Sequence, residues 1–149
     1  MRFAAIASLL LIAMPLPAAP PATHTIVNDA AALRRLQRNS GITLQWISFE
    51  TAGRGHLHVK TRNGVVHLKG EQHEGNGGGQ VTLDGDVVQI DARSFTFRGR
   101  IEISDTPDKG RSCIRDGEYE FRVTGKRRYW RLQQMQTCDN LTDYVDIYY

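Results

Sequence analysis

Several histidines and one glutamate gather on a short segment of the chain, where their side chains could coordinate a metal ion. They are His56, His58, His67, Glu71 and His73. Imidazole and carboxylate groups spaced in this way can bind zinc or copper. Lys60, Arg62 and Lys69 occupy the same predicted face and would repel a cation. We therefore interpret the segment as a solvated polar face and predict no metal site.

A second group of residues combines cations with aromatic rings and could bind an anion. It consists of Lys126, Arg127, Arg128, Tyr129 and Arg131, which surround Trp130. Basic side chains bind phosphate and carboxylate groups, and aromatic rings add stacking or cation–π contacts. Arg98 and Arg100 could extend this patch. The structural alternative places Trp130 in the core and leaves the cations in water, where they protect a sheet edge from aggregation.

The chain carries no pattern typical of nucleophilic catalysis. No serine lies in a nucleophile-elbow motif, and the glycine-rich run at residues 75–79 lacks the Gly-Lys-Ser or Gly-Lys-Thr of a phosphate-binding loop. We predict no catalytic residue and no cofactor. Carboxylates are numerous, so a pair of acids brought together only by the fold is the alternative.

The basic and aromatic segment belongs to a predicted β-hairpin whose two loop residues are Gly125-Lys126, because glycine suits a type I′ or II′ turn. Counting outward pairs Phe121 with Trp130 and sets Cys113 opposite Cys138, the only two cysteines. We therefore predict a disulfide across neighbouring antiparallel strands. In the chain-entropy model such a bridge stabilises the fold by about 3 kcal/mol.

Alternation within this hairpin predicts one apolar and one charged face. The apolar face carries Tyr119, Phe121, Val123, Trp130 and Leu132. On the charged face the predicted register places Glu120 opposite Arg131. This division is typical of an antiparallel pair that is buried on one side.

Turn signals divide the rest of the chain into one helix and several strands. A helix is predicted over residues 28–39, capped by Asn28 or Asp29. Asn63-Gly64 is the strongest hairpin signal, and it pairs His56 with Glu71, His58 with Lys69 and Val59 with Leu68. Strands are also predicted at residues 42–51, at 95–104 and at 143–149, and a further turn is predicted at Gly85-Asp86.

About eight short strands separated by turns predict a mainly β fold, an antiparallel barrel or sandwich with one N-terminal helix. Residues 28–149 are predicted to form a single β-rich domain, preceded by a flexible lead-in at residues 20–27. Residues 1–19 are predicted to be a secretory signal peptide, because Arg2 is followed by a short apolar run and small residues. The run is too short to span a membrane. We expect a secreted or periplasmic protein.

The formal net charge of the chain is +3. Removal of Arg2 with the signal peptide leaves about +2, which is a weak indication of an anionic partner.

The C-terminal part of the chain combines a recognisable set of residues: Gly117-x-Tyr119-x-Phe121, then Tyr129-Trp130-Arg131-Leu132-Gln133, Cys138, and Asp143-Tyr144-Val145-Asp146-Ile147-Tyr148. This pattern resembles small exported bacterial proteins to which no activity is assigned. The resemblance implies export and paired cysteines, and it implies no function.

The leading hypothesis is a non-enzymatic exported domain that binds an envelope component or a protein partner, with anionic polymers among the candidate ligands and nucleic acid disfavoured. An envelope hydrolase with a carboxylate-based site is the alternative.

Overall fold

The computed structural model describes residues 23–47, 52–75 and 77–149. The predicted signal peptide, residues 1–19, lies outside these ranges. The elements, in chain order, are β1 (Ile26–Val27), α1 (Ala30–Gln37), β2 (Gly41–Leu44), β3 (His56–Arg62), β4 (Val65–His73), β5 (Gln80–Ile90), β6 (Ser94–Ser104), β7 (Ser112–Arg122), β8 (Tyr129–Leu132) and β9 (Val145–Tyr148).

Eight strands form a nearly closed antiparallel barrel in the order β2-β9-β8-β7-β6-β5-β4-β3. The short strand β1 pairs with β5 in parallel. This confirms the mainly β prediction with one short helix and shows that the fold is a barrel. The apolar side chains of alternate strand positions fill the interior, among them Leu68, Leu83, Phe97, Phe121 and Trp130.

The β3–β4 hairpin has the predicted register. His56 pairs with Glu71, and Val59 pairs with Leu68. Asn63 and Gly64 have φ values of 49° and 78°, and two consecutive residues with positive φ are what a type I′ turn requires. The local turn chemistry therefore specifies this pairing.

The turn predicted at Gly85-Asp86 is wrong, because β5 runs without interruption from Gln80 to Ile90. Gly85 lies directly opposite Gly99 of β6. A Cβ atom at Gly85 would lie 2.7 Å from the ring of Phe97. Glycine is needed at this point to make room for an aromatic ring inside the barrel, rather than to reverse the chain.

The strand predicted over residues 42–51 is also shorter and placed differently. β2 ends at Leu44, Gln45 and Trp46 form a turn, and residues 48–51 lie outside the described ranges. β2 pairs with β9 and stands at one end of the strand order. Its two inward side chains, Ile42 and Leu44, are nevertheless buried.

The barrel closes between β2 and β3 through a few single hydrogen bonds. The backbone N–H of Gly55 donates to the carbonyl of Ile42 at 2.8 Å, and the side-chain amide of Asn39 donates to the carbonyl of Leu57 at 3.0 Å. We call this line the seam. Helix α1 comes directly before β2 in the chain. Asp29 is its N-cap, which is one of the two predicted caps.

Residues 25–27, at the end of the predicted lead-in, lie against the barrel wall. The hydroxyl of Thr25 donates to the carbonyl of Val87 at 2.6 Å and accepts the N–H of Val66 at 2.8 Å. Thr25 therefore links β4 to β5 just before the short strand β1.

The predicted register of the β7–β8 hairpin is wrong by two residues. Phe121 pairs with Leu132, where the sequence predicted Trp130. The predicted turn itself is present, since the N–H of Arg127 donates to the carbonyl of Thr124 at 3.3 Å. The two-residue shift in register therefore arises between this turn and the paired residues of β7 and β8.

Arg93, in the β5–β6 connection, contacts the hairpin between its turn and its strand pair. Its carbonyl accepts the N–H of Val123 at 2.7 Å, and its guanidinium donates to the carbonyl of Gly125 at 2.7 Å. The bond to Val123 continues the β6–β7 pairing beyond Ser94 and Arg122, and the bond to Gly125 ties the turn to the same connection. Because side chains repeat every two residues along a strand, an even shift leaves the apolar face inside, and Val123, Trp130 and Leu132 are all buried.

The predicted disulfide between Cys113 and Cys138 is present, although its setting differs from the prediction. Cys138 lies in the connection between β8 and β9, residues 133–144, and not in a strand. The predicted contact of Glu120 with Arg131 is absent from the described residues, because the carbonyl of Glu120 accepts the N–H of Gln133 at 2.8 Å. The disulfide thus ties the 133–144 connection to the start of β7.

A buried ionic cluster holds the same connection from inside the barrel. The carboxylate of Asp143, which is 0% exposed, accepts hydrogen bonds from Arg111 at 3.0 Å, from Arg115 at 2.5 Å and from the indole of Trp46 at 2.9 Å. Burial lowers the pKa of the Arg115 guanidinium, whereas the hydrogen bond to Asp143 raises the pKa of Arg111.

Candidate anion-binding surface

The residues of the predicted anion site lie on the outer side of β8 and the turn that precedes it. Alternation sends Tyr129 and Arg131 outward and Trp130 inward. Trp130 is fully buried and contacts Phe95, with ring centroids 5.8 Å apart. The indole is therefore part of the core, as the structural alternative expected, and the outer face keeps the cations and Tyr129.

Arg131 is held in place by an acidic partner. Its Nε and Nη2 atoms donate to the two carboxylate oxygens of Asp146 at 2.8 and 2.7 Å. This hydrogen bonding raises the pKa of the Arg131 guanidinium. The same guanidinium lies 4.0 Å from the ring centroid of Tyr144 and 5.2 Å from that of Tyr129. Arg131 therefore orients two tyrosines, and its charge is already balanced.

β9 and the residue before it add Tyr148 and Tyr144 to this face, and we call Tyr129, Tyr144 and Tyr148 the tyrosine surface. The rings of Tyr129 and Tyr148 lie 5.0 Å apart on residues that are paired across β8 and β9. Arg54, which precedes β3, places its guanidinium 4.0 Å above Tyr148. The period-two pattern of residues 144–148 could have indicated that Tyr144 and Tyr148 share a face, whereas no sequence signal connects Arg54 with them.

Lys126, Arg127 and Arg128, which we call the basic turn, project from the end of the same hairpin. All three side chains are exposed. No carboxylate of the described residues lies within salt-bridge distance of any of them. Arg127 contacts the ring of Tyr129 at 5.7 Å, so the basic turn and the tyrosine surface are continuous.

Arg98 and Arg100 do not extend this patch. Both lie on β6, which β7 separates from β8. Arg98 forms a salt bridge with Glu118 at 2.8 Å, and Arg100 lies 3.5 Å from Glu102. Their charges are balanced within a separate part of the barrel wall.

The histidine-bearing hairpin has the predicted polar outer face. His67 lies between two carboxylates, 2.8 Å from Asp86 and 3.1 Å from Asp84, and His73 lies 3.2 Å from Glu71. Within residues 23–47, 52–75 and 77–149, no three His, Cys, Asp or Glu side chains converge as metal ligands would. The Asp84 and Asp86 partners of His67 were not identified from the sequence, because the erroneous turn at Gly85-Asp86 hid their place on a strand.

Comparison with known proteins identifies relatives of this chain. The model of the PM1083 family matches residues 24–149. The uncharacterized protein PM1083 of Pasteurella multocida (strain Pm70) is 45% identical over 109 residues, which cover 71% of this chain and 68% of that protein. No solved structure matches the chain. Among the helices of the described residues, none is long and apolar enough to cross a membrane.

Proposed function

The chain belongs to the PM1083 family, and we propose that this member is an exported, non-enzymatic domain that binds an anionic component of the cell envelope. The proposed binding surface comprises the basic turn (Lys126, Arg127, Arg128) and the adjoining tyrosine surface. Arg131 contributes by positioning the tyrosine rings.

The single observation that carries this proposal is the unbalanced charge of the basic turn. Several other cations of the chain have carboxylate partners, as Arg98, Arg111 and Arg131 do. Three adjacent cations without such partners, next to aromatic rings, provide charge and hydrogen-bond donors for phosphate, sulfate or carboxylate groups. The flanking strands fix the backbone of the turn and the tyrosine rings, so the ordering cost of binding falls on the three exposed basic side chains.

Export is supported by two independent features. The disulfide between Cys113 and Cys138 is typical of proteins that reside in an oxidising compartment. The N-terminal sequence has the charge, apolar run and small residues of a signal peptide.

The hydrolase alternative gains no support from the buried acids. Asp143 and Asp146 are the buried carboxylates of the described residues. Arginines bind both of them, Arg111 and Arg115 at Asp143 and Arg131 at Asp146. A general acid must reach its substrate, whereas these two carboxylates are buried and already hydrogen-bonded to guanidinium groups.

The test uses heparin as an anionic polymer probe and isothermal titration calorimetry as the readout. We expect Lys126→Gln/Arg128→Gln to weaken binding about tenfold and to reduce the dependence of log Kd on log salt concentration. The matched control is Arg34→Gln/Lys109→Gln, which removes two exposed cations that lie elsewhere and also have no carboxylate within salt-bridge distance among the described residues. Equal affinities for the two variants would refute the proposed surface.

Export is tested separately by mass spectrometry of the protein recovered from periplasm or medium. We expect an N-terminus near residue 19 or 20. Recovery of the protein there with residues 1–18 intact would contradict the signal-peptide prediction.

A further inference from the structure

A second cationic site lies on the other side of the seam. A groove of about 440 Å³ runs over the outer face of β3, β4 and β5 and is lined by His58, Lys60, Arg62, His67, Lys69 and Asp86. Its fixed charges are three cations and one carboxylate. We call it the cationic groove.

The cations of this groove are largely free to meet a ligand. Lys60 and Arg62 have no carboxylate within salt-bridge distance among the described residues. Lys69 lies 3.6 Å from Asp84, but both side chains are more than half exposed, and such surface pairs contribute little. The groove therefore has a net positive charge that the protein itself does not balance.

A smaller groove connects the cationic groove with the seam. It has a volume of about 290 Å³ and is lined in part by Ser40, Gly41, His56 and His58. His58 lines both grooves. Outward residues of β3 thus lead without interruption from the seam to Lys60 and Arg62.

The same small groove borders the tyrosine surface on its other side. Gly41 is the register partner of Tyr148, and Tyr148 is the partner of Tyr129. Arg54 joins the two regions, because its guanidinium donates to the hydroxyl of Ser40 at 2.7 Å and lies above Tyr148. The outer wall therefore carries one path from the basic turn, over Tyr129 and Tyr148, across the seam and into the cationic groove.

We propose that this path binds a single linear anionic polysaccharide, with the basic turn and the cationic groove as its two charged ends. This inference rests on the proposed function and extends it to a second subsite and a ligand class. From β8 to β4 the path crosses four strand spacings, which is about 19 Å. A ligand that engages both ends must be an oligomer, and a single anionic sugar unit would engage one end only.

The tyrosine rings favour a polysaccharide over single-stranded nucleic acid. Proteins that bind single strands offer open aromatic faces on which bases stack. Here a guanidinium covers one face of Tyr148 and another covers one face of Tyr144. The path offers charge, hydroxyl groups and imidazoles, which suit a polymer recognised through its anionic groups and hydroxyls.

The position of exposed apolar side chains argues against a protein ligand. Protein interfaces depend on buried apolar or aromatic anchors. The large hydrophobic side chains that are exposed within the described residues are Ile26, Val27 and Ile114, and none of them lines the path.

The experiment compares heparin oligosaccharides of two lengths, a tetrasaccharide and a dodecasaccharide, by isothermal titration calorimetry. Three double variants remove two exposed cations each. Lys60→Gln/Arg62→Gln alters the cationic groove, Lys126→Gln/Arg128→Gln alters the basic turn, and Arg34→Gln/Lys109→Gln is the control. Circular dichroism and thermal unfolding verify that each variant is folded.

We expect the wild-type protein to bind the dodecasaccharide much more tightly than the tetrasaccharide, and the groove variant to lose about tenfold in affinity for the dodecasaccharide. For the tetrasaccharide the groove variant should lose less, because a short chain can still occupy the basic turn. In the turn variant too, the affinity for the dodecasaccharide should exceed that for the tetrasaccharide by much less than in the wild type. The gain from a longer chain requires that it contact the basic turn and the cationic groove at the same time.

The three variants distinguish failure of the second subsite from failure of the proposed function. If the turn variant weakens binding while the groove variant matches the control at both lengths, the second subsite is refuted and the proposed function stands. If both variants match the control, the proposed function fails, and this inference fails with it. If a thymidine oligonucleotide or polyglutamate of equal charge binds more tightly than the dodecasaccharide, the assignment to a polysaccharide is wrong.

Discussion

The amide oxygen of Gln72 accepts the backbone N–H of Leu44 at 2.8 Å, across the seam, where the described residues of β2 and β3 form no strand pair. The Nε2 atom of the same side chain donates to the carbonyl of Gly53 at 2.7 Å. Gln72 is only 2% exposed, so water does not compete for these bonds. One side chain thus replaces part of a missing strand ladder.

Gln72→Met keeps the approximate volume of the side chain and removes both hydrogen bonds. We expect the free energy of unfolding to fall by about 1–3 kcal/mol, because the buried N–H of Leu44 and the partly buried carbonyl of Gly53 lose their partner. Urea denaturation measures the change. Gln80→Met is the control, since Gln80 makes no side-chain hydrogen bond within the described residues, and it should change stability by less than about 0.5 kcal/mol. If Gln72→Met and Gln80→Met changed the free energy of unfolding equally, the hydrogen bonds of Gln72 would not stabilise the fold.

Asp143→Asn removes the only negative charge from the buried cluster. Arg111 and Arg115 would then be left without their buried counter-ion, which costs about 3–5 kcal/mol. Asp139 also contacts Arg111, at 3.2 Å, but its side chain is 60% exposed. Asp139→Asn should therefore cost less than about 1 kcal/mol. Thermal and urea unfolding of the two variants should separate them clearly, and a small effect for Asp143→Asn would contradict the role given to this cluster.

Arg131 is assigned the role of positioning the tyrosine rings, and Arg128 is assigned the role of binding the ligand. Comparing Arg131→Gln with Arg128→Gln separates these two roles. Arg131→Gln leaves Asp146, which is 4% exposed, without its bidentate partner and should lower stability by about 1–3 kcal/mol. Arg128→Gln should leave stability within about 0.5 kcal/mol and weaken heparin binding more than Arg131→Gln does. The opposite order in binding would show that Arg131 contacts the ligand directly.

Replacing Cys113 and Cys138 by alanine should lower the free energy of unfolding by about 2–4 kcal/mol, because the unfolded chain regains the freedom of the closed loop. Alkylation of the native protein should modify neither thiol before reduction in denaturant. Modification of two thiols in the unreduced sample would contradict the disulfide.

Local signals predicted the elements whose partners are close in sequence. Asn63-Gly64 specifies both the turn and the register of β3 and β4, because a two-residue type I′ turn fixes which residues face each other. At the β7–β8 hairpin the turn was equally predictable. Its register was not, because β7 is paired along its length with β6 and pairs with β8 only at Phe121 and Arg122. The disulfide was nevertheless predicted, since an error of two residues keeps both cysteines near the same end of the hairpin.

The missed features all depend on residues distant in sequence. Gly85 resembles a turn residue until Gly99 and the ring of Phe97 are placed beside it. At the candidate site the basic turn could be predicted because its residues are consecutive. Arg54 and Tyr148 are about 95 positions apart, and only the closed barrel brings them together.

The pairing of Gly41 with Tyr148 also determines when the barrel can close. β2 precedes the strand with which it pairs by about 100 residues, and β9 must insert between β2 and β8. Until that happens, Ile42 and Leu44 have no complete sheet to cover them, and two strand edges remain open. A partly folded chain in which β9 is not yet inserted therefore exposes apolar side chains and strand edges that the finished barrel hides.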